Sequence, residues 1–229
     1  MKRIKYSEEY IQRRVKWYHE CWAFIKKANY KKATAHAKLG FKLFPDDTIA
    51  QFTYYSIMAD YALSEDSLKF NKMHKEATQG MKKLFKKISG RGISIAFKKV
   101  MKNEFYFQTK QYKKQYYLGI TGYQRSKDFH DMYSAGVGGA QHALVLARKK
   151  NYRMAKNWAQ KSVDAWKIYL DNHKTYYNPY VHLALAYGIL GKKKEMMSSL
   201  KTSSKLCKKP LSYREFQEVR EWVDELFTG

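Results

Sequence analysis

Seven histidines, at positions 19, 36, 74, 130, 142, 173 and 182, are the side chains that could bind a metal or move a proton near neutral pH. No two of them stand in an HExxH or other close ligand spacing, so no metal site is expected. His19 and Cys21 could be a base and its nucleophile. Two residues apart on a helix, however, their side chains diverge, and Cys21 falls in an apolar series with Trp17 and Phe24. Glu8-Glu9 and Asp46-Asp47 are adjacent acids, and neighbours on a helix point in different directions. They read as turn and cap residues in place of an acid/base pair. The glycine-rich stretch AGVGGAQHA at 135–143 could present backbone N–H groups to a phosphate, but no Lys-Ser/Thr follows it. Close packing at a helix start, with Gly138 and Gly139 in its first turn, is the favoured reading, ahead of a hinge or an anion site. The expectation is that there is no catalytic residue, no cofactor and no metal, and that the protein is not an enzyme.

These side chains must be held by an all-α scaffold. Only 3 Pro and 12 Gly in 229 residues leave long uninterrupted stretches, and 45% hydrophobic residues suffice for a sizeable core. Cys21 and Cys207 have no CxxC or Cys/His partner spacing and read as free thiols in a reducing compartment. The N-terminus, MKRIKYSEEYIQRRVKWYHE, has no apolar block of leader length. No run approaches the roughly 18 apolar residues of a membrane span. A soluble cytoplasmic protein is expected.

The net charge is +25, and 36 of the 45 cations are lysine. Residues 66–127 alone carry +13, with 16 basic residues against Asp66, Glu76 and Glu104. Such a field attracts acidic protein surfaces, nucleic acid or anionic membrane. Lysine is a hydrated point charge more than a planar fork for bases, which favours a diffuse basic surface. Its members are Lys82, Lys83, Lys86, Lys87, Lys98, Lys99, Lys110, Lys113 and Lys114. Within this region NEFYFQTKQYKKQYYLGITGYQRSK, residues 103–127, has seven aromatic and five basic residues. Phe97, Met101 and Phe105 fall four apart, as do Tyr112, Tyr116 and Ile120, with Val100 and Tyr117 beside them. That periodicity predicts a buried helical stripe, with Gln111, Lys113, Lys114 and Gln115 on the other side. Tyr106, Phe107 and Tyr123 remain as rings available to solvent.

Two segments superpose, NYKKATAHA at 29–37 and NYRMAKNWA at 151–159, each beginning Asn-Tyr-basic and spacing alanines four apart at Ala33/Ala37 and Ala155/Ala159. Alanines so placed on one helical face let a second helix approach closely. With Trp17, Glu20, Cys21 and Phe24 before the first pair and Pro45 after it, the pattern resembles the tetratricopeptide repeat, a helix–turn–helix of about 34 residues. Gly139, His142, Ala143 and Leu146 precede the second pair. A third match is Tyr180, Leu183, Ala184 and Tyr187, then Met196 and Leu200, with Lys208 where the proline would fall. Glu20 and His142 depart from the apolar pattern. The matches near 14–47, 136–169 and 177–210 are not evenly spaced, and Ala77 and Gly80 echo Ala37 and Gly40.

The resemblance implies one domain over 1–229, an α-α superhelix of about five hairpins. A capping helix over about 212–227, REFQEVREWVDELF, completes the expected total of about eleven helices. Asp46-Asp47, Ser-Lys-Asp at 126–128 and Pro210-Leu-Ser read as helix boundaries. The family's groove positions, carried onto the matching repeats, are Val15, Tyr18, His19, Trp22 and Lys26 from the first. The later repeats contribute Gln141, Leu144, Arg148, Asn178, His182, Leu185 and Lys192. The Lys and Asn set with which some members clamp a terminal carboxylate is not recognisable. The resemblance therefore implies a scaffold for a protein or peptide partner, which the charge suggests is acidic. The alternative is sequence-indifferent RNA binding through 66–127.

Overall fold

The computed structural model describes residues 7–26, 29–63, 68–87, 94–212 and 214–228. These residues form eleven α-helices and no strand: α1 (Glu8–Lys26), α2 (Tyr30–Leu43), α3 (Thr48–Leu63), α4 (Leu68–Lys87), α5 (Ile95–Gln108), α6 (Tyr112–Ser126), α7 (Phe129–Arg148), α8 (Tyr152–Asn172), α9 (Asn178–Ile189), α10 (Lys193–Cys207) and α11 (Arg214–Thr228). They group into two compact units, Met1–Thr109 and Lys110–Gly229. Among the described residues, no helix is long and apolar enough to cross a membrane.

In the first unit the Asn-Tyr-basic motif is a helix start. Asn29 Oδ1 accepts from the backbone N–H of Lys32, satisfying one of the unpaired donors of the first turn of α2. Ala33, Ala37 and Gly40 then face Trp17 and Cys21 of α1, and all five are buried. A Cβ on Gly40 would fall inside the Trp17 indole, so the hairpin closes only with glycine there. The indole N–H of Trp17 donates to the carbonyl of His36 at 3.0 Å. Asp47, 2% exposed, starts α3. Its Oδ1 accepts from Ile49 and Ala50 N–H at 2.8 and 3.0 Å, and its Oδ2 from Arg14 at 2.6 Å. The α3/α4 hairpin repeats the plan with a different ring: Gly80 lies against Tyr55, whose Cδ1 would be 2.6 Å from an added Cβ. Met101 and Phe105 of α5 complete that core, and Phe105 stacks on Phe85 at 4.7 Å.

The second unit is organised around α7, capped by Asp128 through His130 N–H at 3.0 Å. Because α7 begins at Phe129, Gly138 and Gly139 lie in its third turn, not the first turn expected from the sequence. Its glycines serve two neighbours. Gly138 meets the backbone of α6, with an added Cβ 2.7 Å from Tyr116 N, while Gly136 and Gly139 meet Trp166 and Ser162 of α8. Ser162 Oγ donates to Gly136 O at 2.7 Å. On α6 the buried residues are Gln115 and Gly119, and Gln115 is 2% exposed where the sequence stripe placed it outward. Tyr112, Tyr116 and Ile120 are half-buried, and Val100 and Tyr117 are exposed. Asn151 caps α8 as Asn29 caps α2. The last helix, α11, buries Phe216, Val219, Val223 and Leu226 at helical spacing, and Val223 closes on Gly188 of α9.

Several turns use a left-handed residue to end a helix, and most of these residues are lysines. Lys110, Lys127, Lys150 and Lys208 have φ of 55°, 56°, 59° and 56°, and Gly191 alone among the described turns uses glycine, at 77°.

Candidate partner-binding surfaces

On α1 the face opposite Trp17 and Cys21 holds the positions expected to meet a partner. Val15 (43% exposed) and His19 are open to solvent. Tyr18 and Trp22 are half-buried, their rings edge to face at 6.1 Å. Burial pushes the Tyr18 phenol up, so it stays a neutral donor. The side chain of Lys26 lies outside the described residues. Burial pushes the Cys21 thiol up to about 12, which leaves it un-ionised and no nucleophile.

In the same unit α3, α4 and α5 share a polar cluster that the sequence reading missed. Gln108, 2% exposed, donates from Nε2 to Asp60 Oδ1 at 2.6 Å and to Glu104 Oε1 at 2.8 Å. Its Oε1 pairs with His74 Nε2 at 3.2 Å. Burial, with the Glu104 charge adding to it, pushes the Asp60 carboxyl well up, and burial pushes Glu104 up. Two carboxyls bridged by one amide favour a state in which a proton is retained. The signal was a lone acid in the apolar run IMADYAL, four residues after Ser56, and the Glu104/Gln108 pair one turn apart.

The nine lysines of the expected basic surface do not belong to one unit, because the division falls at Thr109/Lys110. In the first unit Lys82 and Lys83 are exposed and Lys98 and Lys99 half-buried. The side chains of Lys86 and Lys87 are outside the described residues. In the second unit Lys110, Lys113 and Lys114 are exposed, and Lys114 Nζ donates to Gln111 Oε1 at 2.8 Å.

Of the groove positions in the second unit, Leu144 (3% exposed) and Leu185 (1%) are core residues and offer nothing to a partner. The reason is packing: α7 is covered by α6, α8 and α9, and α9 by α7, α8, α10 and α11. Gln141 and Asn178 are half-buried, while Arg148 and Lys192 are exposed. The Arg148 guanidinium lies over the Trp222 ring at 5.4 Å. His182 stacks on Trp166 at 6.0 Å and 9°, and burial lowers its pKa to about 4, so it is neutral at physiological pH. His142, which departs from the repeat's apolar pattern, packs edge to face on Trp158 at 4.6 Å, and burial lowers its pKa. Among the described residues, no group of three His, Cys, Asp or Glu side chains could hold a metal ion.

The architecture is a tetratricopeptide-like fold of helical hairpins closed by a small residue against a ring: Gly40 of α2 on Trp17, Gly80 of α4 on Tyr55 and, with the roles exchanged, Gly136 of α7 on Trp166 of α8. No family model matches the chain, and no curated protein matches it. Among solved structures, it is similar to MamA 41-end from Desulfovibrio magneticus RS-1, with 12% identity over 85% of this chain and 96% of that one and a TM-score of 0.45. It is also similar to MamA MSR-1, with 13% identity over 86% and 97% and a TM-score of 0.44. A third is YrrB, a TPR protein with an unusual peptide-binding site, with 10% identity over 90% of each chain and a TM-score of 0.42.

Proposed function

We infer that the chain is a non-enzymatic scaffold that binds an acidic protein or peptide. The observation that carries this reading is the open face of α1, where exposed Val15 and His19 flank the half-buried Tyr18 and Trp22. Trp and Tyr rings set partly into a surface are the residue types that anchor partners. The exposed lysines add long-range attraction, Lys82 and Lys83 in the first unit and Lys110, Lys113 and Lys114 in the second. Gln141, Arg148, Asn178, His182 and Lys192 remain contact positions of the second unit. Leu144 and Leu185, being buried, offer no contact.

Affinity capture from native lysate tests the reading. The Trp22→Ala protein, and a Lys110/Lys113/Lys114→Glu protein, are expected to lose a partner that the wild type retains through a salt wash. If neither variant loses anything, both surfaces are wrong. The competing nucleic-acid reading is separated by a salt series on immobilised RNA. Backbone-only binding weakens steeply as salt rises, whereas an anchored protein partner persists.

A further inference from the structure

The second unit has a cavity of about 470 Å³, open to solvent, that none of the groove positions line. Its floor is Ala147, Ile189 and Leu226, near the C-terminal ends of α7, α9 and α11, with Ala155 of α8. These four are buried, so the floor is apolar. Its rim is Lys150, Tyr152 and Lys156, all exposed.

The rim decides what fits. Residues 148–156, RKKNYRMAK, hold five basic and no acidic residues. Lys192, Lys193 and Lys194, before Glu195, are exposed in and after the turn that follows Ile189. Against them stand Asp224 and Glu225, which precede the floor residue Leu226. The balance at the mouth is positive, and the occupant must bring negative charge outside and an apolar group inside. Lys150 stands in the turn after α7 and Lys156 in the early part of α8, so the rim carries two cations on different elements. Two such cations suit two carboxylates on either side of an apolar residue better than one compact anionic headgroup. The volume is ample for a large apolar side chain.

The geometry points to this cavity as the docking site for a short acidic peptide segment, which inserts one large apolar side chain between flanking carboxylates held by Lys150 and Lys156. This rests on the scaffold reading above and names a site and a ligand chemistry for it. The Tyr152 hydroxyl, at the rim, supplies a donor for the peptide backbone.

The test is fluorescence anisotropy with fluorescein-labelled Gly-Ser-Asp-Glu-Phe-Glu-Asp-Ser-Gly and its Phe-to-Ala counterpart. The full chain is compared with a Lys150→Asn/Lys156→Glu double variant. Asn tolerates the left-handed backbone at 150 and Lys156 is exposed, so the variant should fold, which circular dichroism checks. The Phe peptide should bind at least about tenfold more tightly than the Ala peptide, and the double variant should lose at least about tenfold for the Phe peptide. Equal binding of the two peptides overturns use of the cavity, and unchanged binding by the variant overturns use of the rim. Phosphatidylcholine–phosphatidylserine vesicles that displace the peptide from the wild type, but do not bind the variant, reassign the site to a membrane surface and overturn the peptide. A captured partner that the variant retains overturns the cavity alone. If the wild type captures none, the scaffold reading fails, and the peptide titration still decides the cavity.

Discussion

Replacing Gly136 by alanine should weaken the second unit, while the same replacement at Gly139, one turn along the same helix, should not. In a helix interior, alanine is favoured over glycine by about 1 kcal/mol, and both changes receive that gain. What differs is the neighbour. An added Cβ at 136 would stand 2.5 Å from Trp166 Cδ2 and closer still to Cε2. Trp166 is fully buried, with Tyr133 at 5.2 Å, Tyr169 at 5.8 Å and His182 at 6.0 Å around it, so the indole has nowhere to retreat. Overpacking of this kind costs about 1–3 kcal/mol, and an immobile indole belongs at the upper end. The net is a loss of about 1–2 kcal/mol. At 139 the nearest atoms are Ser162 Cβ at 3.0 Å and Cα at 3.1 Å, which need give only a few tenths of an ångström. The strain there is about offset by the propensity gain. Urea unfolding followed by circular dichroism should place the Gly136→Ala midpoint well below that of Gly139→Ala. Equal midpoints, or the reverse order, would refute the claim that these glycines exist to admit α8.

Two further outcomes follow from groups that burial has perturbed. Because Asp60 and Glu104 are pushed up, the folded first unit keeps protons that the unfolded chain has released, so stability falls as pH climbs above the ordinary carboxylate range and levels off once both ionise. Urea midpoints at about pH 5 and about pH 8 should show that decline in the wild type and less of it in Asp60→Asn or Glu104→Gln, and an equal slope in all three would contradict the cluster. Native Cys21, fully buried and raised to about 12, should resist iodoacetamide while half-buried Cys207 is modified first, as peptide mass spectrometry would show. Alkylation of Cys21 at the rate of Cys207 would mean that α1 and α2 separate readily.

The parts of the fold that the sequence revealed are those written in local patterns. Asn29 and Asn151 announce helix starts because a cap acts on the turn that follows it, and Ala33/Ala37 and Ala155/Ala159 mark seams because bulk is missing at fixed spacing. Asp128 and Asp47 are boundaries for the same local reason. Burial set by a distant helix left no such trace. Gln115 looked outward by its polarity, yet α7 covers it, and Leu144 and Leu185 fit a repeat position whose face neighbouring helices occupy. The Asp60–Gln108–Glu104 cluster joins residues 48 and 4 apart, and only the second separation is visible in a sequence. The division at Thr109/Lys110 runs through the most basic stretch, where charge density had suggested a single surface.

The left-handed lysines bear on how the charge of +25 should be understood. Lys110, Lys127, Lys150 and Lys208 each follow the C-terminal end of a helix, of α5, α6, α7 and α10, where unpaired carbonyls gather partial negative charge. A side chain there carries a backbone penalty that glycine avoids, and the ammonium group partly offsets it by neutralising the helix end. The partial negative charge of those helix ends offsets part of the field of these four cations, so the formal total overstates the potential that the chain presents to another molecule. Raising the salt concentration would thus act on the chain twice, screening its attraction for partners and loosening its own helix ends.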